Sequence, residues 1–191
     1  MTIELQTPIV AGKERASSRQ KAQDDAGSDT VKPTEVFKSY FGGIWVKIVN
    51  KTQFNLSYVP GDLDYGEMVS GPPDADAWTA KGFGVGGNTF LGMGVRPKGG
   101  VQLRLKLDNS HNFDFTLALS SAMFGNYHAS LVKGHDRSAA VKALTTAGAS
   151  ISSDKYEGTI KGDIKHGRTQ FDITVVTSPG YEMNLVISQN E

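Results

Sequence analysis

From Phe41 to Glu191 apolar and polar positions alternate in short runs bounded by turn residues. The clearest are Ile44-Trp45-Val46-Lys47-Ile48-Val49, Val101-Gln102-Leu103-Arg104-Leu105-Lys106-Leu107 and Phe171-Asp172-Ile173-Thr174-Val175-Val176. A period of two sends successive side chains to opposite faces of a sheet, one against a core and the other towards water. The pattern predicts strands at about 44–49, 54–59, 76–81, 88–95, 101–108, 112–119 and 127–132, with closing strands at about 155–165, 169–177 and 181–188. Pro60-Gly61-Asp62, Ser70-Gly71-Pro72-Pro73, Pro97-Lys98-Gly99-Gly100 and Asp108-Asn109-Ser110 separate the earlier strands. His166-Gly167 and Ser178-Pro179-Gly180 join the last three, the final pair as a hairpin. Turns at this spacing imply an all-β, antiparallel β-sandwich.

One helix interrupts the strands. Asp136 is placed to cap it, Arg137 to Ala147 supplies helix formers, and Gly148 can end it in a left-handed turn. The front of the chain differs. From Gly12 to Lys32 it is polar and nearly free of large apolar residues, so it has little surface to offset its ordering entropy. Residues 1–35 are therefore expected to form a mobile arm, with frayed helix around Arg15 to Gln23, and residues 36–191 the sandwich domain.

Composition narrows the function classes. Twenty basic residues balance twenty acidic ones, without the basic excess that nucleic-acid binders carry. Cysteine is absent, which removes disulfides and thiolate chemistry. Met1 to Pro8 has neither the basic nor the apolar region of a signal peptide, and no apolar run approaches the roughly 20 residues of a membrane-spanning helix. The expectation is a soluble chain, cytoplasmic as synthesised, for which release by a non-classical route stays open. Asn50-Lys51-Thr52 and Asn55-Leu56-Ser57 match the glycosylation pattern by chance on this reading.

No set of catalytic residues stands out. Gly82-Phe83-Gly84-Val85-Gly86-Gly87 spells a dinucleotide fingerprint, but strand-like sequence follows it where a helix is required. The uncharged stretch 82–95 reads as a bent sandwich strand, or else as a membrane-inserting hairpin. His111, His128, His135 and His166 lack zinc-site spacing, and no serine sits in a nucleophile elbow. No metal or cofactor is expected. The segment Phe124-Gly125-Asn126-Tyr127-His128-Ala129-Ser130-Leu131-Val132 is the most suggestive, offering amide, phenol and imidazole groups beside a ring face. Sugars and choline-type headgroups are recognised by that mixture, though Tyr127 in the core and Asn126 in a turn would serve structure equally.

These residues bring the body close to the actinoporin-like superfamily, and it most resembles the fungal fruit-body lectins. The likeness runs from Ile44 to Ser188. Val101 to Asn109 followed by Phe113-Asp114-Phe115-Thr116 looks like that family's central hairpin, and Asn126-Tyr127 like its Asn-aromatic segment. Tyr156, Gly167 to Ile173 and Tyr181 to Ile187 look like its closing strands. Aegerolysins share the general pattern more distantly. The resemblance implies glycan binding, or binding of phosphocholine headgroups with pore formation, and would place Asn126, Tyr127 and Tyr156 against the ligand with His128 beside them. The chain departs from the family in three places. Ser120-Ser121-Ala122-Met123-Phe124 lacks the tyrosine cluster of actinoporin headgroup sites, Ala129-Ser130 lacks the lectins' acid, and the arm is too polar for a pore helix. The expected function is non-enzymatic, lectin-like recognition of cell-surface glycans or lipid headgroups. A cytolysin and a structural or protein-partner module are the alternatives. Multivalency would make a homo-oligomer useful.

Overall fold

The computed structural model describes residues 2–90, 93–122, 125–163 and 167–191, with the backbone alone at 88–90 and 93. Phe124, His166 and residues 91–92 of the 82–95 stretch, to which sequence features were assigned, lie outside the described residues. In chain order the elements are β1 (Thr2–Glu4), α1 (Gly12–Asp25), a 3-10 turn (Asp29–Val31), α2 (Glu35–Lys38), β2 (Phe41–Lys51), β3 (Asn55–Val59), β4 (Glu67–Met68), β5 (Ala80–Phe90), β6 (Met93–Val95), β7 (Lys98–Lys106), β8 (Asn112–Ser121), β9 (Tyr127–Lys133), α3 (Arg137–Lys142), β10 (Ala149–Ser152), β11 (Lys155–Thr159), β12 (Arg168–Ser178) and β13 (Glu182–Asn190).

Two sheets make the sandwich. The larger runs β1-β11-β12-β13-β2-β5-β4, with β10 on β12 and β6 on β5; the smaller runs β3-β7-β8-β9. Pairing is antiparallel except at β1–β11 and β13–β2. Ile44, Val46 and Ile48 of β2 and Ile173 and Val175 of β12 point inward from one sheet, and Leu103, Leu105, Phe115 and Leu117 from the other. Full burial of such a side chain stabilises by about 1.5–3 kcal/mol, so this shared core is the main source of order.

The outer faces are covered too, which the alternation did not predict. On the larger sheet, Trp45 is buried and its indole N–H donates to the Val31 carbonyl at 2.7 Å. Ala22 and Ala26 pack beside Val49 on the same face. The supposed arm is thus laid along the body: β1 pairs with β11, and Leu5, Ile9 and Val31 are buried. Its few apolar residues are too scattered to signal packing, because the sheet supplies most of the apolar surface. The alternating glycines have the same cause. A methyl group at Gly82, Gly84 or Gly86 would overlap the rings of Trp45, Phe37 or Tyr40 respectively, so these positions form a groove for aromatic side chains.

Several boundaries move. Residues 76–79 form a turn rather than a strand, with Trp78 in the left-handed region at φ 57°. The 88–95 segment is the end of β5 folded back through β6. α3 stops at Lys142, not Ala147, because Thr145 leaves the helix to bridge Ala129. Asp136 does cap it, accepting from the Ala139 N–H at 2.8 Å. The Asn50 side chain is fully buried and donates to the Phe54 carbonyl at 2.7 Å, so in the fold it is a structural amide and not a glycan acceptor.

Candidate functional site

One end of the sandwich gathers four of the five exposed large apolar residues among those described, the fifth being Val176 on β12. There β2 and β13 begin, β8 ends, and the Ser121 hydroxyl ties the sheets by donating to the Gly42 carbonyl at 2.7 Å. Val36 is 65% exposed, Tyr65 57%, Phe41 47% and Tyr181 41%. Of these, Tyr181 packs against Phe37 with ring centroids 5.8 Å apart. Burial raises the Tyr181 phenol's pKa; Lys38 opposes the rise, while Tyr127 and Glu182 add to it. Arg96 lies over the Phe41 ring, 5.1 Å from its centroid. β5 pairs Gly87 with Phe41 and then continues into the β5–β6 hairpin, so this uncharged hairpin leaves the sandwich at the same end.

Strand register then builds a polar row beside the aromatic residues. Tyr65 bridges Lys98, Lys98 pairs with Ser120, and Ser120 pairs with His128. Residues directly opposite each other in antiparallel pairs share a face, with Cβ atoms about 5 Å apart. The row forms one wall of an open cavity of about 410 Å³, closed on another side by Lys142 and Leu144 at the end of α3. Arg96, Ser121 and Ala122 complete it towards the aromatic end. The Arg96 Nη1 is 3.4 Å from the Ser121 hydroxyl. The His128 ring makes no hydrogen bond among the described residues, and its Nδ1 is shielded from solvent without a partner.

The four residues singled out from sequence do not form one site. Asn126 is exposed after Gly125, whose φ of 78° makes the turn, and its carbonyl accepts from the Ala122 N–H at 2.8 Å. Tyr127 and His128 are neighbours on β9 and so face opposite ways: Tyr127 packs on the core, while His128 lines the cavity. Tyr156 does not belong with them. It is 4% exposed and packs at a tilt on Phe171, ring centroids 5.6 Å apart, and burial raises its pKa, outweighing a hydrogen bond with Ser153. It belongs to the sandwich core, and its strand is flanked in the sheet by β1, an element the sequence pattern did not reveal. Arg96, Lys98 and Lys142 were missed because cations are ordinary surface residues; only strand register and the α3 contact bring them together.

A second cavity, of about 500 Å³, opens at the opposite end of β7 between Thr7, Gln53, Asn55 and Asp108. Its polar groups mainly fasten the N-terminal segment. The Gln53 amide donates to the Pro8 carbonyl and accepts from the Val10 N–H, both at 2.7 Å, and Asp108 accepts from the Gln6 N–H at 3.1 Å. Among the described residues no group of three or more His, Cys, Asp or Glu is placed to hold a metal ion, and no helix is long and apolar enough to cross a membrane.

No protein-family model matches the chain, and no curated protein does. Among solved structures it is similar to the lipid-binding protein Nakanori, with a TM-score of 0.53 and 9% identity over 97% of this chain and 90% of that one. At that identity the likeness shows a shared fold alone, and it lends no support to the fungal-lectin branch of the resemblance.

Proposed function

We propose that this chain is a non-enzymatic module that docks on lipid headgroups at a membrane surface through the end bearing Phe41, Tyr65 and Tyr181. The observation that carries this reading is the gathering there of four exposed apolar side chains beside cations that form no ion pair among the described residues. Exposed apolar patches rimmed by polar groups mark interaction surfaces, and Tyr belongs to the side chains that favour the membrane interface. Cations close to an anionic leaflet add about 1 kcal/mol each. The fold shared with a lipid-binding protein agrees with this reading.

Two other readings rest on particular features. The exposed Asn126 amide, which makes no side-chain hydrogen bond among the described residues, favours a glycan contact beside the same end. The uncharged β5–β6 hairpin favours insertion and pore formation; α1 does not, being polar all round with only Ala22 buried. Flotation with dye-loaded vesicles, with and without glycolipid, separates the three. Headgroup-dependent flotation without leakage supports docking, and a requirement for glycolipid supports the glycan contact. Leakage supports insertion, and the absence of flotation with every composition refutes membrane docking.

A further inference from the structure

We propose that the cavity between the Lys98-Ser120-His128 row and the end of α3 binds a phosphate monoester carried on a lipid headgroup, in preference to a zwitterionic choline headgroup. This rests on the membrane-docking reading above and gives it a substrate class. Arg96, Lys98 and Lys142 line the cavity, and among the described residues no carboxylate does. Among the described residues none of the three cations is in an ion pair. Glu67, on the strand after Tyr65, is engaged by the Tyr40 hydroxyl, whose pKa the carboxylate raises. The charge in the cavity is therefore not neutralised by the described residues.

The donor set matches the ligand. A phosphate monoester carries close to two negative charges at neutral pH and presents three acceptor oxygens. Arg96 can engage two oxygens with its fork, and the two lysines act as point charges. The Ser120 hydroxyl makes no hydrogen bond among the described residues, and the His128 ring is uncommitted. A quaternary ammonium needs the opposite surroundings, an aromatic cage or an anion. Among the described residues of the lining the rings are His128 and Tyr65, and the three cations would repel a quaternary ammonium. Phe41, whose ring already carries Arg96, lies at the rim rather than in the lining, where it would hold the arginine towards the bilayer side.

The test compares sedimentation with phosphatidylcholine vesicles, and with the same vesicles containing either phosphatidic acid or phosphatidylserine matched in surface charge. A further arm titrates glycerol phosphate while following the His128 ring by NMR. Lys98→Gln/Lys142→Gln and Phe41→Ala are run beside the native chain, with thermal melting to confirm folding. We expect phosphatidic acid vesicles to bind about tenfold more tightly than charge-matched phosphatidylserine vesicles, since charge-assisted hydrogen bonds to the monoester add to the shared attraction. The double lysine variant should lose that preference, while Phe41→Ala weakens binding to all vesicles alike. Equal binding to the two anionic vesicles, or equal loss from both in the double variant, overturns the phosphate site and leaves membrane docking standing. A His128 response to glycerol phosphate without binding to any vesicle sustains the phosphate chemistry and overturns its lipid source. No response in either arm overturns both.

Discussion

The guanidinium of Arg96 sits 5.1 Å from the centroid of the Phe41 ring, although that ring is 47% exposed. Such a pair at a surface contributes about 0.5–1 kcal/mol, too little to explain why a phenylalanine is left half in water. The side chain is better accounted for by what it would bury in a bilayer. Phe41→Ala is therefore expected to leave the melting temperature within a few degrees of the native value and to weaken vesicle binding about tenfold, from the apolar area no longer transferred. Sedimentation isotherms alongside thermal melts check both halves. A large loss of stability with unchanged binding would assign Phe41 to the core instead.

Gly84 and Phe37 make a second close pairing. A Cβ at Gly84 would overlap the Phe37 ring, which also lies 5.1 Å from Trp45. Gly84→Ala is expected to destabilise by about 1–3 kcal/mol through overpacking. In a Phe37→Ala background the same substitution should cost far less, because the ring it meets is gone. Chemical unfolding of the four proteins in this cycle measures the coupling. Additive losses would mean that backbone conformation, and not the ring, demands glycine there.

The contrast between strands and site shows what a sequence can carry. Period two sufficed for β2, β7, β8, β12 and β13, because each presents an unbroken inward row such as Ile44-Val46-Ile48 or Met183-Leu185-Ile187. The N-terminal segment gave no such signal. Ala22 and Ala26 are too small, and Leu5, Ile9 and Val31 too scattered, to show a period, yet all are buried against a sheet that brings its own apolar surface. The fingerprint-like glycines were correctly read as strand, but the reason, three rings on the covered face, lies in contacts made by residues 37, 40 and 45. The site was legible only in part. His128 was found, but alternation on β9 separates it from Tyr127, and Tyr156 is buried in the core. Lys98 and Lys142 meet only because strand register and α3 bring them together.

Asp108 provides the pH dependence. Burial pushes its carboxyl pKa up, but hydrogen bonds from the His111 ring and from the N–H groups of Ser110, Gln6 and His111 outweigh that and hold it at about 2, against an ordinary 3.8. Two of these, from Ser110 and His111, are 2.7 Å long, and the Gln6 bond joins the N-terminal segment to the β7–β8 turn. A carboxylate depressed in the folded state contributes stability that is fully present above its unfolded pKa and fades as pH falls through the folded value. Because the group lies at the edge of an open cavity, solvent screening reduces that contribution to about 1–2 kcal/mol. Asp108→Asn should therefore lower stability by about this amount at pH 7. The difference from the native chain should narrow between pH 3.8 and about 2, where the native carboxyl itself becomes protonated. Denaturant unfolding of both proteins at pH 7 and at pH 3 measures it. Hydrogen exchange at the Gln6 amide should rise in the variant, since that N–H loses its charged acceptor. A deficit of the same size at both pH values would instead assign the cost to altered packing in the turn.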